Sequence, residues 1–282
     1  MGLCNDEILA LQILGTKAIH IIEVNKKAVD SGWDNEAAYW VEFLQDSFSR
    51  YEEMEERTLQ SALSKAKSLL RLQREKGIQT LSFFNSDYPL CLKRLKCDAP
   101  LLMHFLGNTQ ILKRENQVAI IGARSADREG CDVAYKLGMQ YGKQHVVVSG
   151  LALGCDTAAH RGCLDVNGET VAIVATGLNK VHPRENEYLQ RNILSCGGLV
   201  LSEQPWGVDA NPKRLVARNR LQAALAETVI VAQCPVNSGT MYTVRFGQKY
   251  GKKICTVRGI SRECNSGNLF LLESGQAEEI VI

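Results

Sequence analysis

After residue 112 the apolar positions fall into short continuous runs: Val118–Ile121, Val146–Val148, Val171–Val174, Leu199–Leu201, Val229–Ala232 and Ile254–Val257. Runs without polar alternation are what strands buried on both faces require. The stretches between them are long enough for crossover helices, and right-handed crossovers build a doubly wound, mainly parallel α/β sheet. Ahead of this region the pattern is helical. Ile8, Leu9, Leu11, Ile13 and Leu14 form one apolar segment, and Ile19, Ile21, Ile22 and Val24 a second. From Asn35 to Lys76 there is no Gly or Pro, and Trp40, Phe43, Leu44, Phe48 and Tyr51 recur at near-helical spacing up to Gly77. These aromatics read as helix-packing residues.

Between the two regions, Gly77–Leu81 and Leu101–Leu106 read as strands, with a turn at Asp87-Tyr88-Pro89. Asn265–Leu272 reads as a capped terminal helix. The expected organisation is therefore a small helical accessory domain over 1–76 and a Rossmann-like domain over 77–282. Within the latter, 77–112 is a strand extension and 113–282 the core.

Five of the apolar runs end in small or polar residues just before a predicted helix. The turns are Gly122-Ala123-Arg124-Ser125, Ser149-Gly150-Leu151-Ala152, Ala175-Thr176-Gly177, Leu201-Ser202-Glu203 and Asn237-Ser238-Gly239-Thr240. In a parallel sheet all of them lie along the carboxyl edge, where open α/β folds bind ligands. Helix N-termini there favour anions, phosphate above all.

Charge sharpens this only through its distribution. Net charge is +2 over 282 residues, which announces no polyanion partner. From Asn211 to Arg262, however, the bases Lys213, Arg214, Arg218, Arg220, Arg245, Lys249, Lys252, Lys253, Arg258 and Arg262 face a single acid, Glu227. The stretch from Asp34 to Arg57 is acid-rich. This asymmetry reads either as a basic face for a polyanion or as a solvated helix surface.

The ten cysteines contain no Cys-x-x-Cys pair, so neither a disulfide framework nor a zinc site is expected. Reduced thiols in a cytoplasmic protein are the expectation. No apolar run approaches the roughly 20 residues of a membrane span, and Asp6 stands where a myristoylation signal needs Ser or Thr.

Arg124 follows a tight Gly turn, where its planar fork either meets a phosphate or pairs with a structural carboxylate. The turn is not the G-x-G-x-x-G dinucleotide fingerprint, and no G-x-x-x-x-G-K-[ST] loop is present. Gly150 and Gly154 permit close backbone approach, and Asp156 is a plausible helix N-cap. His160 on that helix reads as a packing residue. Lys180 and His182 lie in a polar loop and are candidates for a backbone phosphate and a base. Arg218-Asn219-Arg220 reads as the start of a helix, and Ser238-Gly239-Thr240 as an anion cradle.

Taken in order, these motifs resemble the DNA-processing protein A family (DprA, also called Smf). The family shows D-Y-P, G-S-R, S-G-x-A-R-G-I-D-x-x-A-H, G-T-G-x-D-x-x-Y-P-x-E-N, L-S-E-x-P, R-N-R and S-G-[ST]. Here they stand as Asp87-Tyr88-Pro89, Gly122-Ala123-Arg124, Ser149–His160, Ala175–Asn186, Leu201–Pro205, Arg218-Asn219-Arg220 and Ser238-Gly239-Thr240. The resemblance spans roughly two-thirds of the chain, from Asp87 to about Ala277. It implies an extended Rossmann fold that binds single-stranded DNA without catalysis or cofactor, protects incoming strands in natural transformation and loads a RecA-type recombinase as a homodimer.

On this reading the DNA or phosphate contacts come from Gly122, Ala123, Arg124, Ser125, Ser149, Gly150, Leu151, Thr176, Gly177, Lys180, His182, Arg218, Asn219, Arg220, Ser238, Gly239 and Thr240. The apolar run through Phe270, Leu271 and Leu272 is the expected dimer surface. Departures from the family pattern are Leu153 for Arg, Cys155 for Ile, Gln233 for Glu, His182 for Tyr and Ala175 for Gly. The winged-helix domain that many relatives carry is expected to be missing after Ile282. Two alternatives remain. One is a sensor of free nucleotide. The other is a phosphoribohydrolase-like enzyme, whose P-G-G-x-G-T-x-x-E motif aligns with Pro235–Thr243, where both leading glycines and the catalytic Glu are replaced.

Overall fold

A computed structural model describes residues 2–33, 39–259 and 263–282. Asp34 and Asn35, which open the acid-rich and aromatic stretches, lie outside the described residues, as does Arg262. The chain divides into two compact units, residues 1–88 with 96–104, and residues 89–95 with 105–282.

The first unit is built from α1 (Asn5–Ile13), α2 (Ala18–Asp30), α3 (Trp40–Ser47), α4 (Ser49–Glu52) and α5 (Glu56–Glu75), followed by β1 (Gln79–Ser82). It also holds the first residues of β2 (Leu102–Gly107). The aromatic stretch is therefore three helices, not one. Phe48 leaves helical geometry (φ −145°, ψ 114°), and its ring packs edge-on to Tyr51, with centroids 6.4 Å apart. Trp40 and Tyr51 are fully buried beside Ile8, Leu9, Leu11, Leu44 and Leu59. The aromatic spacing thus serves a helical core. Glu7 is buried as well, and one carboxylate oxygen accepts from the Trp33 indole (3.0 Å) while the other accepts from Cys4 N (2.8 Å).

The second unit is the α/β body. Its elements are α6 (Leu90–Lys93), β3 (Gln117–Ile121), α7 (Arg128–Gly142), β4 (Val146–Ser149), α8 (Cys155–Asp165), β5 (Thr170–Ile173), α9 (Glu187–Ser195), β6 (Leu199–Ser202), α10 (Pro212–Leu225), β7 (Thr228–Val231), α11 (Thr240–Lys249), β8 (Lys253–Thr256), α12 (Ser266–Glu273) and β9 (Glu278–Glu279). The strands lie in the order β6-β5-β4-β3-β7-β8-β9, and every neighbouring pair is parallel. The apolar runs become strands within one residue of their expected limits, because burial on both faces leaves no polar position to blur them. From β3 the chain winds outward through β4, β5 and β6, then returns to the other side of β3 to add β7, β8 and β9. The reversal between β3 and β7 is a topological switch point, the place where open α/β sheets leave a crevice at their carboxyl ends.

Two local expectations change. The helix carrying Arg218-Asn219-Arg220 begins six residues earlier, at Pro212. Asn211 caps it by accepting from Arg214 N (2.8 Å), with Pro at the first helical position. The three residues therefore sit mid-helix and supply no free N–H groups. In α12, Leu271 is fully buried while Phe270 is 44% exposed. Leu271 therefore belongs to this chain's own core. Among the described residues no helix is long and apolar enough to cross a membrane, and the ten cysteines are free thiols.

Placing a charge at Leu271 tests this assignment. Leu271→Glu loses its packing and buries an unpaired carboxylate, so urea unfolding should show a loss of at least about 3 kcal/mol. Phe270→Glu, measured at a concentration too low for self-association, should cost no more than about 1 kcal/mol. Equal, small effects at both positions would put Leu271 on the surface.

Candidate functional site at the carboxyl edge

At the switch point the turn after β3 is tied to the turn after β7. Ala232 N donates to Ile121 O (2.9 Å), and Ala123 N to Gln233 O (2.8 Å). The buried Gln233 side chain then grips the start of α7. Its oxygen accepts from Asp127 N (3.1 Å), and its amide nitrogen donates to Asp127 Oδ1 (2.9 Å). Asp127 caps α7 by accepting from Gly130 N (2.8 Å). These contacts, the Gly130 N–H first, hold its carboxyl below the usual range. The departure Gln233 is thereby explained: a Glu would turn a donor into a second carboxylate facing Asp127.

The loop after β4 packs onto the same turn. Gly154 has φ +73°, and a Cβ there would stand 2.3 Å from Ala123 O. Only glycine combines that backbone with that approach. Cys155 N donates to Ala123 O (3.2 Å). Asp156 lies inside the first turn of α8 and caps the loop from within, accepting from Gly150 N (3.1 Å) and Ala152 N (3.3 Å). The helix N-cap itself is Gly154. The Gly150 and Ala152 amides are thus used internally. Among the described residues, the backbone N–H groups of Arg124, Ser125, Leu153 and Gly154 have no partner. Arg124 and Ser125 are exposed, and Arg124 makes no ion pair with any described residue. Two interlocked turns therefore carry unpaired donors beside a solvent-facing guanidinium, a combination suited to phosphate.

The loop after β5 joins them through Asn186, a buried amide that donates to Leu151 O (2.9 Å), Ala152 O (3.3 Å) and Thr157 Oγ1 (2.8 Å). Thr176 and Gly177 are buried in this loop's own structure. The Thr176 hydroxyl donates to Lys180 O (3.1 Å), and Gly177 N to Val208 O (2.9 Å). His182 is exposed. Lys180 pairs with Asp209 (2.7 Å), a highly exposed partner that a stronger anion can displace. Ser149 is fully buried, its hydroxyl donating to Ile120 O (2.7 Å), and Leu151 is fully buried too.

The bases of α10 lie elsewhere than their motif suggests. Arg218 is buried beneath Gly150 and donates to Ile173 O. Arg220 makes a two-pronged pair with Glu203 (2.9 and 2.6 Å), both side chains mostly covered. Asn219 donates to Gly239 O (3.3 Å) and so fastens α10 to the turn of Ser238, Gly239 and Thr240. That turn opens α11, with Thr240 itself buried.

The basic window is also less basic in space than in sequence. Lys253 pairs with Glu278 and Arg258 with Glu279 of β9, a strand the apolar pattern did not signal. Lys252 donates to Ala224 O and Arg214 to Asp209 O. Lys213 is exposed, and Arg245 lies over the half-exposed Tyr242 ring (5.6 Å).

His160 is fully buried on α8. Thr170 Oγ1 donates to Val147 O (2.7 Å), so it accepts from His160 Nδ1–H (2.7 Å). The ring is then neutral with a bare Nε2, and burial drives its pKa down to about 3. Asn268 on α12 escaped sequence reading. It accepts from Cys234 N (2.8 Å) and donates to Ala232 O (3.1 Å) and Val257 O (3.0 Å), clamping the ends of β7 and β8. A lone Asn in an apolar helix was the available signal.

A doubly wound parallel sheet with its switch point between β3 and β7 defines a Rossmann-like α/β protein. Residues 79–281 match the family described as DNA recombination-mediator protein A, and the chain belongs to that family. It is 30% identical to the DNA processing protein DprA of Streptococcus pneumoniae over 258 residues, 92% of this chain and 83% of that protein. It is 33% identical to the protein Smf of Synechocystis over 189 residues, 66% of this chain and 47% of that one. The chain thus spans most of the first relative and about half of the second. Among solved structures, DprA from S. pneumoniae superposes with a TM-score of 0.80 at 26% identity, covering 99% of this chain and 95% of that one. DprA from Helicobacter pylori, whose structure describes a single-stranded DNA binding mode, gives 0.65 at 31% identity over 73% and 91%.

The Gln233–Asp127 contact is testable by charge. Gln233→Glu should lower the unfolding free energy by about 1–3 kcal/mol. Adding Asp127→Asn should restore most of it, since Asn still caps α7 and supplies the missing donor. A stable single variant, or no rescue in the double one, would show that the two side chains do not act together.

Proposed function

We propose that this chain binds single-stranded DNA along the carboxyl edge, without catalysis, as a recombination mediator. The observation that carries the reading is Arg124, an exposed guanidinium without a carboxylate among the described residues, on a turn whose N–H groups at Arg124 and Ser125 are unpaired. Phosphates passing the switch point meet these donors. Leu153 and Gly154 add two more, with Lys180 and His182 further along. Such contacts follow a backbone and leave the bases unread, so binding is tolerant of sequence. Membership of the family and the single-strand mode described for the H. pylori relative support the same conclusion.

The family resemblance extends the proposal to protecting strands in the cytoplasm and passing them to a RecA-type recombinase. A homodimer is part of it, with Phe270 and the half-buried Leu272 as its apolar contacts. The enzymatic rival finds little support. Thr243 stands where that motif has its Glu and is 2% exposed, so neither its chemistry nor its position serves a ribosyl cation or a water.

Titration of labelled oligo-dT, a matched duplex and free nucleotides, at several salt concentrations, tests the reading. The single strand should bind most tightly, with log affinity falling as log salt rises. Arg124→Ala should weaken it roughly tenfold and flatten the slope by about 0.7, the loss of one phosphate contact. Affinity independent of salt, equal affinity for mononucleotides, or an indifferent Arg124→Ala would contradict it.

A further inference from the structure

Arg218 is 3% exposed, yet it stands directly under the loop that completes the phosphate edge. A Cβ on Gly150 would lie 1.9 Å from Arg218 Nη1 and 2.3 Å from the inner atom of the Gln222 amide. The hydrogen-bond network assigns that Gln222 amide with its oxygen inward, accepting from Arg218 Nη1 (3.1 Å) and from Gly150 N (2.9 Å). Asp156 approaches Gly150 from the other side and accepts from the same N–H. The guanidinium also donates to Ile173 O, the last residue of β5. One buried cation thus connects α10, the end of β5 and the loop over 150–156. At 3% exposure its guanidinium offers almost no surface to solvent.

We propose that Arg218 is a positioning residue: from beneath Gly150 it holds the 150–156 loop in the shape that presents Leu153 and Gly154 N–H to a phosphate, without touching the strand. The proposal rests on the single-strand reading above and adds to it. Leu151 carries φ +57°, so this bend of the loop depends on support from its surroundings. For Leu151 this backbone is costly and persists only where surrounding contacts fix it. Asn186 donates to the carbonyl of the buried Leu151, and Asp156 accepts from the N–H groups of its neighbours Gly150 and Ala152. Arg218 supplies the positive charge facing that buried carboxylate. Burial pushes Asp156 up and Arg218 down to about 10, each group's charge opposing the other's shift. Removing the cation would leave Asp156 unbalanced and the loop without its floor.

Arg218→Lys keeps the charge but loses the planar fork that reaches Gln222 and Ile173 together. Two measurements on the folded variant decide the proposal. Amide exchange at Gly150 and Ala152 should rise at least tenfold while β3 and β4 keep their protection, a readout that needs no DNA. Oligo-dT affinity should fall at least fivefold with an unchanged salt slope, whereas a lost phosphate contact lowers the slope by about 0.7. A reduced slope would make Arg218 a direct contact and overturn the proposal. Unchanged exchange, or unchanged affinity in a less stable protein, would overturn it as well. If Arg218→Lys does not fold, Gln222→Ala removes only the amide between Arg218 and Gly150 and is read in the same two ways. Failure of the unmodified chain to bind oligo-dT would refute the single-strand reading, and the exchange experiment would still decide what Arg218 does.

Discussion

The last carbonyls of a parallel sheet have no further strand to pair with, and at this edge they lie where a ligand also has to be admitted. Buried backbone carbonyls must find donors. This protein supplies them from side chains of neighbouring segments. Ser149 donates to Ile120 O, Arg218 to Ile173 O, Ser202 to Thr176 O, Thr256 to Val231 O, and Asn268 to Ala232 and Val257 O. The three hydroxyl bonds tie each strand to its neighbour, and Arg218 and Asn268 add α10 and α12, so the edge is a stitched rim. Because the stitching uses inward-facing hydroxyls, amides and one guanidinium, the outward side keeps its backbone N–H groups at Arg124, Ser125, Leu153 and Gly154.

That division separates two kinds of polar residue that look alike in a motif. Ser149, Ser202 and Arg218 belong to the rim's construction. Arg124, Ser125, Lys180 and His182 face solvent or a displaceable partner. The family departures respect the same division. Leu153 replaces an Arg on a loop whose path is set by Gly154 and Asp156, so the backbone survives while one edge charge is gone. Cys155 is buried against Gly130 O and Gln233 O, an apolar exchange in a packed place. Gln233 keeps a bond to Asp127 that a carboxylate would forfeit. On the proposed reading, Arg124 then carries more of the phosphate contact at the switch point.

Much of this was legible in the sequence, for physical reasons. Strands buried on both faces announce themselves, and the turns that follow them carry the Gly, Ser and Thr that tight bends and helix starts demand. What stayed hidden depends on partners far along the chain. The basic window is open in sequence to reading as a basic face or a solvated surface because Glu203, Glu278 and Glu279, which neutralise part of it, lie outside it. The start of α10 lies at Asn211-Pro212, a stronger local helix signal than the Arg-Asn-Arg triplet six residues on. Leu271 was grouped with Phe270 because a run of apolar residues does not say which of them turns inward. The break at Phe48 is set by packing against Tyr51, which no local propensity encodes.

On the proposed reading, a strand's phosphates lie on the two interlocked turns after β3 and β4. A structure of the chain bound to a short oligo-dT tests it most directly. A phosphate is expected within hydrogen-bonding distance of the Arg124 guanidinium and of the Ser125 N–H, with Arg218 still covered and remote from the strand. A strand bound on another face, with the Arg124 turn open to solvent, would contradict it.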